Sequence, residues 1–93
     1  MPDELVRRAE ARRAIDSGTL PTRPPDRIFG GPGSGELCGV CAKSITRAEM
    51  EYEVEFAGHD EMRQPDVFHF HLRCFTAWEM ERTSPGTALR VVP

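Results

Sequence analysis

Between residues 50 and 56 the chain alternates apolar and acidic side chains without a break: Met50, Tyr52, Val54 and Phe56 fall on one side, Glu51, Glu53 and Glu55 on the other. A period of two predicts a half-buried strand with the glutamates on its solvated face. Asp66-Val-Phe-His-Phe-His71 predicts a second strand. The polar stretch from Ala57 to Pro65, with Gly58 inside it, predicts the turn of a hairpin. From Cys74 to Arg82 the spacing becomes helical, with Phe75 and Trp78 at i,i+3 on one face and Pro85 as the stop. Upstream, Asp3 to Asp16 predicts a helix capped by Asp3 and ended at Gly18. Its Asp3–Arg7 and Glu4–Arg8 pairs are in the favourable i,i+4 order and contribute roughly 0.2–0.5 kcal/mol each. The apolar stripe of this helix, Leu5, Val6 and Ala9, is thin, and Arg12 and Arg13 fall near it, so the helix docks on the rest of the chain or frays.

Residues 19–35 read TLPTRPPDRIFGGPGSG, where the prolines and glycines forbid a helix and a central strand. This stretch is expected to be an extended arm anchored by Ile28 and Phe29. Its glycine run lacks the Lys-Ser or Lys-Thr of a phosphate-binding loop and follows no strand, so a flexible turn is the expectation. Leu89, Val91 and Val92 add a short edge strand or a loose tail.

A chain of 93 residues allows one small domain whose core alone stabilises it only marginally. The formal charge of −3 argues against a basic nucleic-acid coat. That charge is unevenly spread: residues 1–35 carry a net +1, and residues 36–93 carry a net −4 together with every Cys and His. The expected organisation follows this division, with an N-terminal helix and flexible Pro/Gly-rich arm over 1–35 and a compact domain with a short C-terminal tail over 36–93. No apolar run approaches the roughly 20 residues of a membrane span, and no signal segment is visible. The expected location is therefore cytoplasmic, where thiols stay reduced. Three cysteines fit a disulfide framework poorly and a metal site well. The sequence contains no Asn, which removes N-glycosylation and any catalytic scheme that needs one.

Cys38-Gly-Val-Cys41 is a Cys-x-x-Cys knuckle, followed after 29 residues by His71-Leu-Arg-Cys74. The two pairs supply four soft or borderline donors, the tetrahedral set of a structural zinc. A two-residue spacing lets both side chains of a pair turn toward one ion, and Gly39 eases the first turn. The second pair lies where strand passes into helix, so the helix N-terminus favours the Cys74 thiolate. A redox pair needs a thioredoxin-like frame that this chain is too short to build. Among the histidines, His69 and His71 share a strand face and both can point at the ion, but only His71 gives the x-x spacing to Cys74. His69 is then a core or supporting histidine, and His59 lies in the turn.

Cys38-x-x-Cys41, the Lys43-Ser-Ile45 that follows, the long gap and Phe70-His71-x-x-Cys74-Phe75 resemble the zinc finger of poly(ADP-ribose) polymerases. The His-x-x-Cys-Phe ending is also similar to LIM-type and other treble-clef fingers. The resemblance covers about residues 36–80 and none of the N-terminal arm. It implies one structural Zn²⁺ on Cys38, Cys41, His71 and Cys74. The fold it implies is a small zinc-stabilised α+β domain with a treble-clef-like knuckle, a β-hairpin and a C-terminal helix. The polymerase fingers recognise DNA breaks with basic residues near the strands, whereas the corresponding face here reads Glu51, Glu53, Glu55, so that activity does not carry over.

Four protein ligands close a zinc shell and leave no position for a reacting water. Ser17, Ser34, Ser44 and Ser84 have no context that marks a nucleophile, and a ββα metal nuclease in its usual form includes an Asn. An enzyme is not expected. Two classes remain: a zinc-stabilised module that binds a protein partner, which is the expectation, and a nucleic-acid binder using Arg7, Arg8, Arg12, Arg13, Arg23 and Arg27 on phosphates.

Overall fold

The computed structural model describes residues 3–58 and 64–84. His59, the tip of the hairpin, Pro85 and the tail with Leu89, Val91 and Val92 lie outside the described residues. Within them the chain forms α1 (Asp3–Asp16), β1 (Arg27–Pro32), β2 (Met50–Phe56), β3 (Asp66–His71) and α2 (Leu72–Thr83). The three strands make one antiparallel sheet in the order β1-β2-β3. Alternation on β2 and β3 directs Tyr52, Val54, Phe56, Phe68 and Phe70 toward α2. There Phe70 stacks on Trp78 at 5.3 Å between ring centres, and Phe56 meets the same indole edge-on at 6.0 Å. These buried rings form the core with Ile45 and Val54, while Tyr52 and Phe75 are half-buried at its margin. The result is a small α+β protein whose sheet supports α2 and whose α2 supports α1.

The N-terminal helix has the expected bounds, and its stop is a Schellman turn. Gly18, at φ 81°, donates its N–H to the Ile15 carbonyl at 3.0 Å, and the Thr19 N–H reaches the Ala14 carbonyl at 2.9 Å. The buried face differs from the expected one. Leu5 and Val6 are exposed, as is Ala9, and the helix instead lays Ala11, Ala14 and Ile15 on the core. The cause is electrostatic as well as apolar. Glu81 of α2 receives Arg8 Nε at 2.7 Å and Arg12 Nε at 3.1 Å, and Arg12 Nη2 also donates to the Glu81 carbonyl at 2.6 Å. Arg8 and Arg12 are thereby partly buried, at 34% and 29% side-chain exposure, on a face that a hydropathy pattern assigns to solvent.

The Pro/Gly-rich stretch is tied down at both ends. Leu20 is buried, the Trp78 indole N–H donates to the Pro21 carbonyl at 3.0 Å, and Arg23 lies over the Phe56 ring at 5.2 Å. Ile28 and Phe29, the expected anchors, are 46% and 49% exposed, because residues 27–32 pair with β2 as an edge strand, one side chain toward each face. An edge strand tolerates the Pro32 that a central strand excludes. The compositional division at residue 35 is thus crossed by the β1–β2 ladder and by the packing of α1 on α2.

Candidate metal centre

Three elements bring the four sequence-expected ligands together. The first pair lies on a tight loop closed by a Leu37–Ser44 bridge, in which Cys38 N–H donates to the Lys43 carbonyl and Ala42 N–H to the Cys38 carbonyl, each at 2.9 Å. Ala42 takes the left-handed conformation, at φ 64°, that this reversal requires. The loop is docked on β3 by Gly39, whose N–H reaches the His69 carbonyl at 2.8 Å. A Cβ at position 39 would sit 3.2 Å from the Phe70 ring, so glycine allows this close approach. The second pair is set by the junction of β3 and α2. His71 is the last strand residue and the residue preceding the helix, and Cys74 follows in the first turn. The His71 side chain makes no capping hydrogen bond because it turns toward the thiols.

One donor atom from each of Cys38, Cys41, His71 and Cys74 lies within 4.8 Å of the other three. His71 Nδ1 is 3.5 Å from Cys41 Sγ and 4.0 Å from Cys74 Sγ. A zinc tetrahedron with Zn–S of about 2.3 Å and Zn–N of about 2.0–2.1 Å has edges of about 3.5–3.8 Å. The donor set and its spacing therefore fit one such ion with little rearrangement. Cys38 and Cys74 are buried and no cysteine is in a disulfide. Supporting contacts match the same role. Glu49 Oε1 stands 3.3 Å from His71 Nε2, which leaves Nδ1 facing the thiols, as a carboxylate does behind a metal-bound histidine. Val40 N–H points at Cys38 Sγ at 3.4 Å, a contact that favours thiolate.

The thiols perturb one another strongly. A hydrogen bond from Cys74 holds the Cys38 thiol down to about 4, against the opposing effect of burial. Cys74 is pushed far above the thiol range by donating that bond, by burial and by the neighbouring sulfur charge, and Cys41 is raised chiefly by burial. Cys38 is thus the sulfur held as thiolate while Cys41 and Cys74 keep their protons, and the three could ionise together only with a cation among them to offset their mutual repulsion, which suits the cluster to a metal ion.

His69, the other histidine on that strand face, is not brought into this group; its Nδ1 lies 2.7 Å from Glu51 Oε2. Glu51 corrects the expectation of a solvated acidic row. It is 5% exposed, and its Oε1 accepts the Ser34 N–H and Oγ–H, both at 2.9 Å. Burial opposes its charge, but the hydrogen bonds from His69 and Ser34 outweigh burial and hold the carboxyl below its ordinary range. Strand alternation gave no signal for this, because Glu51 has the same phase as Glu53 and Glu55 and only the 33–36 loop distinguishes it. Glu49, beside His71, was likewise without a motif to mark it.

Comparison with models of known families, with curated proteins and with solved structures finds no match to this chain. The assignment accordingly stands on the donor group itself: a Cys₃His cluster, able to hold one metal ion, in a small α+β domain. Among the described residues no helix is long and apolar enough to cross a membrane.

Proposed function

We propose that the chain is a zinc-stabilised, non-catalytic interaction module that binds a protein partner. The observation that carries the reading is the closed Cys38–Cys41–His71–Cys74 donor set at the meeting point of knuckle, sheet and helix. Zinc there joins three elements and leaves no coordination position for a substrate. We read the finger as treble-clef-like, on the knuckle, hairpin and following helix that the sequence shares with such fingers.

The choice of a protein over a nucleic acid is supported by how the arginines are used. Arg8 and Arg12 are spent on Glu81, and Arg23 pairs with Asp26 at 3.7 Å and donates to the Ala57 carbonyl. Half of the arginines that a phosphate-binding arm would need are thus engaged inside the molecule. The edge strand meanwhile exposes Phe29 directly opposite Glu53 and Ile28 on the other face, and the Phe29–Glu53 side is a mixed apolar and acidic surface suited to protein.

The test pairs two measurements on the zinc-loaded protein. Fluorescence anisotropy with labelled duplex DNA, intact and with a single-strand break, should give affinity no tighter than the roughly 10⁻⁴–10⁻⁶ M of non-specific contacts. Affinity capture from the source cells, with wild type and Phe29→Glu in parallel, should yield a protein held by the first and released by the second. Submicromolar DNA binding that disappears in an Arg7→Ala, Arg13→Ala double variant would reverse the ranking.

A further inference from the structure

A second group of metal-ligating side chains lies on the sheet face away from α2, distinct from the Cys₃His cluster. Glu51, Glu53 and His69 each place one donor atom within 4.8 Å of the other two. The register creates the group: Glu53 stands directly opposite His69 on the β2–β3 ladder, and Glu51 is the next residue of β2 on the same face. The parts are held rather than loose. The Glu51 carboxylate is buried, fixed on one oxygen by the Ser34 N–H and hydroxyl and on the other by His69 Nδ1. Glu53 and His69 are half-buried, and Glu53 makes no ion pair among the described residues. Two carboxylates and one imidazole therefore share a confined volume, and among the described residues none of the three forms an ion pair with a Lys or Arg. Opposite Glu51 on β1 stands Gly31, where an added Cβ would meet nothing within 4 Å, so the strand beside the group leaves it room.

We propose that Glu51, Glu53 and His69 form a second cation site, which takes a divalent first-row metal of the Mn²⁺ or Fe²⁺ type. The donor chemistry selects the class. Carboxylate oxygens with a single imidazole suit these harder ions, whereas the thiolates of the first site suit zinc. Three donors on one side of the ion leave its remaining positions to water, unlike the closed first site. Glu53 supplies the charge that the Glu51–His69 contact alone lacks, and Ser34 keeps the buried carboxylate aimed.

Mn²⁺ alone is the probe, because it competes poorly for thiolates. Equilibrium dialysis of zinc-loaded protein against Mn²⁺, with bound and free ion followed by electron paramagnetic resonance, should show one Mn²⁺ per chain while the zinc content stays unchanged. Glu53→Gln should weaken this binding by at least about tenfold, the scale on which metal sites respond to loss of a supporting carboxylate. Glu55→Gln, next along the same row, should leave it as in wild type. The half-buried positions of Glu53 and Glu55 make both variants compatible with folding, and an unchanged near-ultraviolet signal from Trp78 verifies it. Absence of Mn²⁺ retention by folded, zinc-loaded wild type would overturn the proposal, as would equal retention by wild type and Glu53→Gln. Zinc content, read in the same samples, separates failure of this site from failure of the first.

Discussion

His71 and His69 have the same face of one strand and opposite fates, and the difference comes from a single helical turn. His71 borders α2 and meets Cys74 across that turn, whereas His69 lies two residues back, where Glu51 receives it. His71→Ala should therefore lose zinc, and His69→Ala should retain it, with elemental analysis of the purified variants as the readout. Backbone demands are equally local. Ala42 holds φ at 64°, a conformation costing an L-residue about 1–2 kcal/mol, and Ala42→Gly should recover about 1 kcal/mol of stability in denaturant titration. Gly33 is the reverse case. A Cβ there would collide with the Thr46 carbonyl and sit 2.6 Å from that of Ile45, whereas at Gly31 it would meet open space. Gly33→Ala should cost about 1–3 kcal/mol and Gly31→Ala much less, as measured by the same titration. The coming together of Cys38, Cys41, His71 and Cys74 was legible from spacing alone, since two x-x pairs carry their geometry with them. The role of Glu51 was not, because burial of a strand residue on the outward face depends on a loop fifteen or more residues away, as the Ser34 contact shows at a separation of 17.

At the scale of elements, α1 is held to the molecule by charge on a scant apolar face. Glu81 gathers two arginines from one helix, with its side chain 12% exposed, and α1 contributes a single fully buried residue, Ala11. Hydrogen bonds to charged groups contribute about 1.5–3 kcal/mol, so Glu81→Ala should release α1 while the sheet and α2 stay folded. Hydrogen exchange should then show α1 amides opening in the variant, with Val54 and Phe70 amides still protected. The bounds of α1, β2 and β3 were legible because each has a strong local signal: a cap and a glycine stop, or strict alternation. The contacting face of α1 was not, because hydropathy assigns Arg8 and Arg12 to solvent and the partner that reverses this is 69 residues or more distant. Strand β1 was hidden for a related reason. Pro32 and the paired glycines argue against strand locally, and the long-range ladder to β2 overrides them at the sheet edge.

For the whole molecule, the core of Ile45, Val54, Phe56, Phe70 and Trp78 is small, and the Cys₃His cluster, with Cys38 and Cys74 buried in that core, sits at the same junction. Structural zinc contributes roughly 10–16 kcal/mol in finger peptides, against a net stability of about 5–15 kcal/mol for an entire domain. Loss of the ion should thus be a folding event. It would strand three thiols in a confined site, detach the knuckle from β3 and free the start of α2. The indole of Trp78 reports directly on this, since it is fully buried, stacked on Phe70 and hydrogen-bonded to Pro21. The decisive measurement is the near-ultraviolet circular dichroism of Trp78 during chelation, with zinc content determined in parallel. One tightly held zinc per chain, and a Trp78 signal that collapses in step with its removal and returns on adding zinc back, is the expected result. A Trp78 signal that persists unchanged in protein verified to be free of metal would contradict the account.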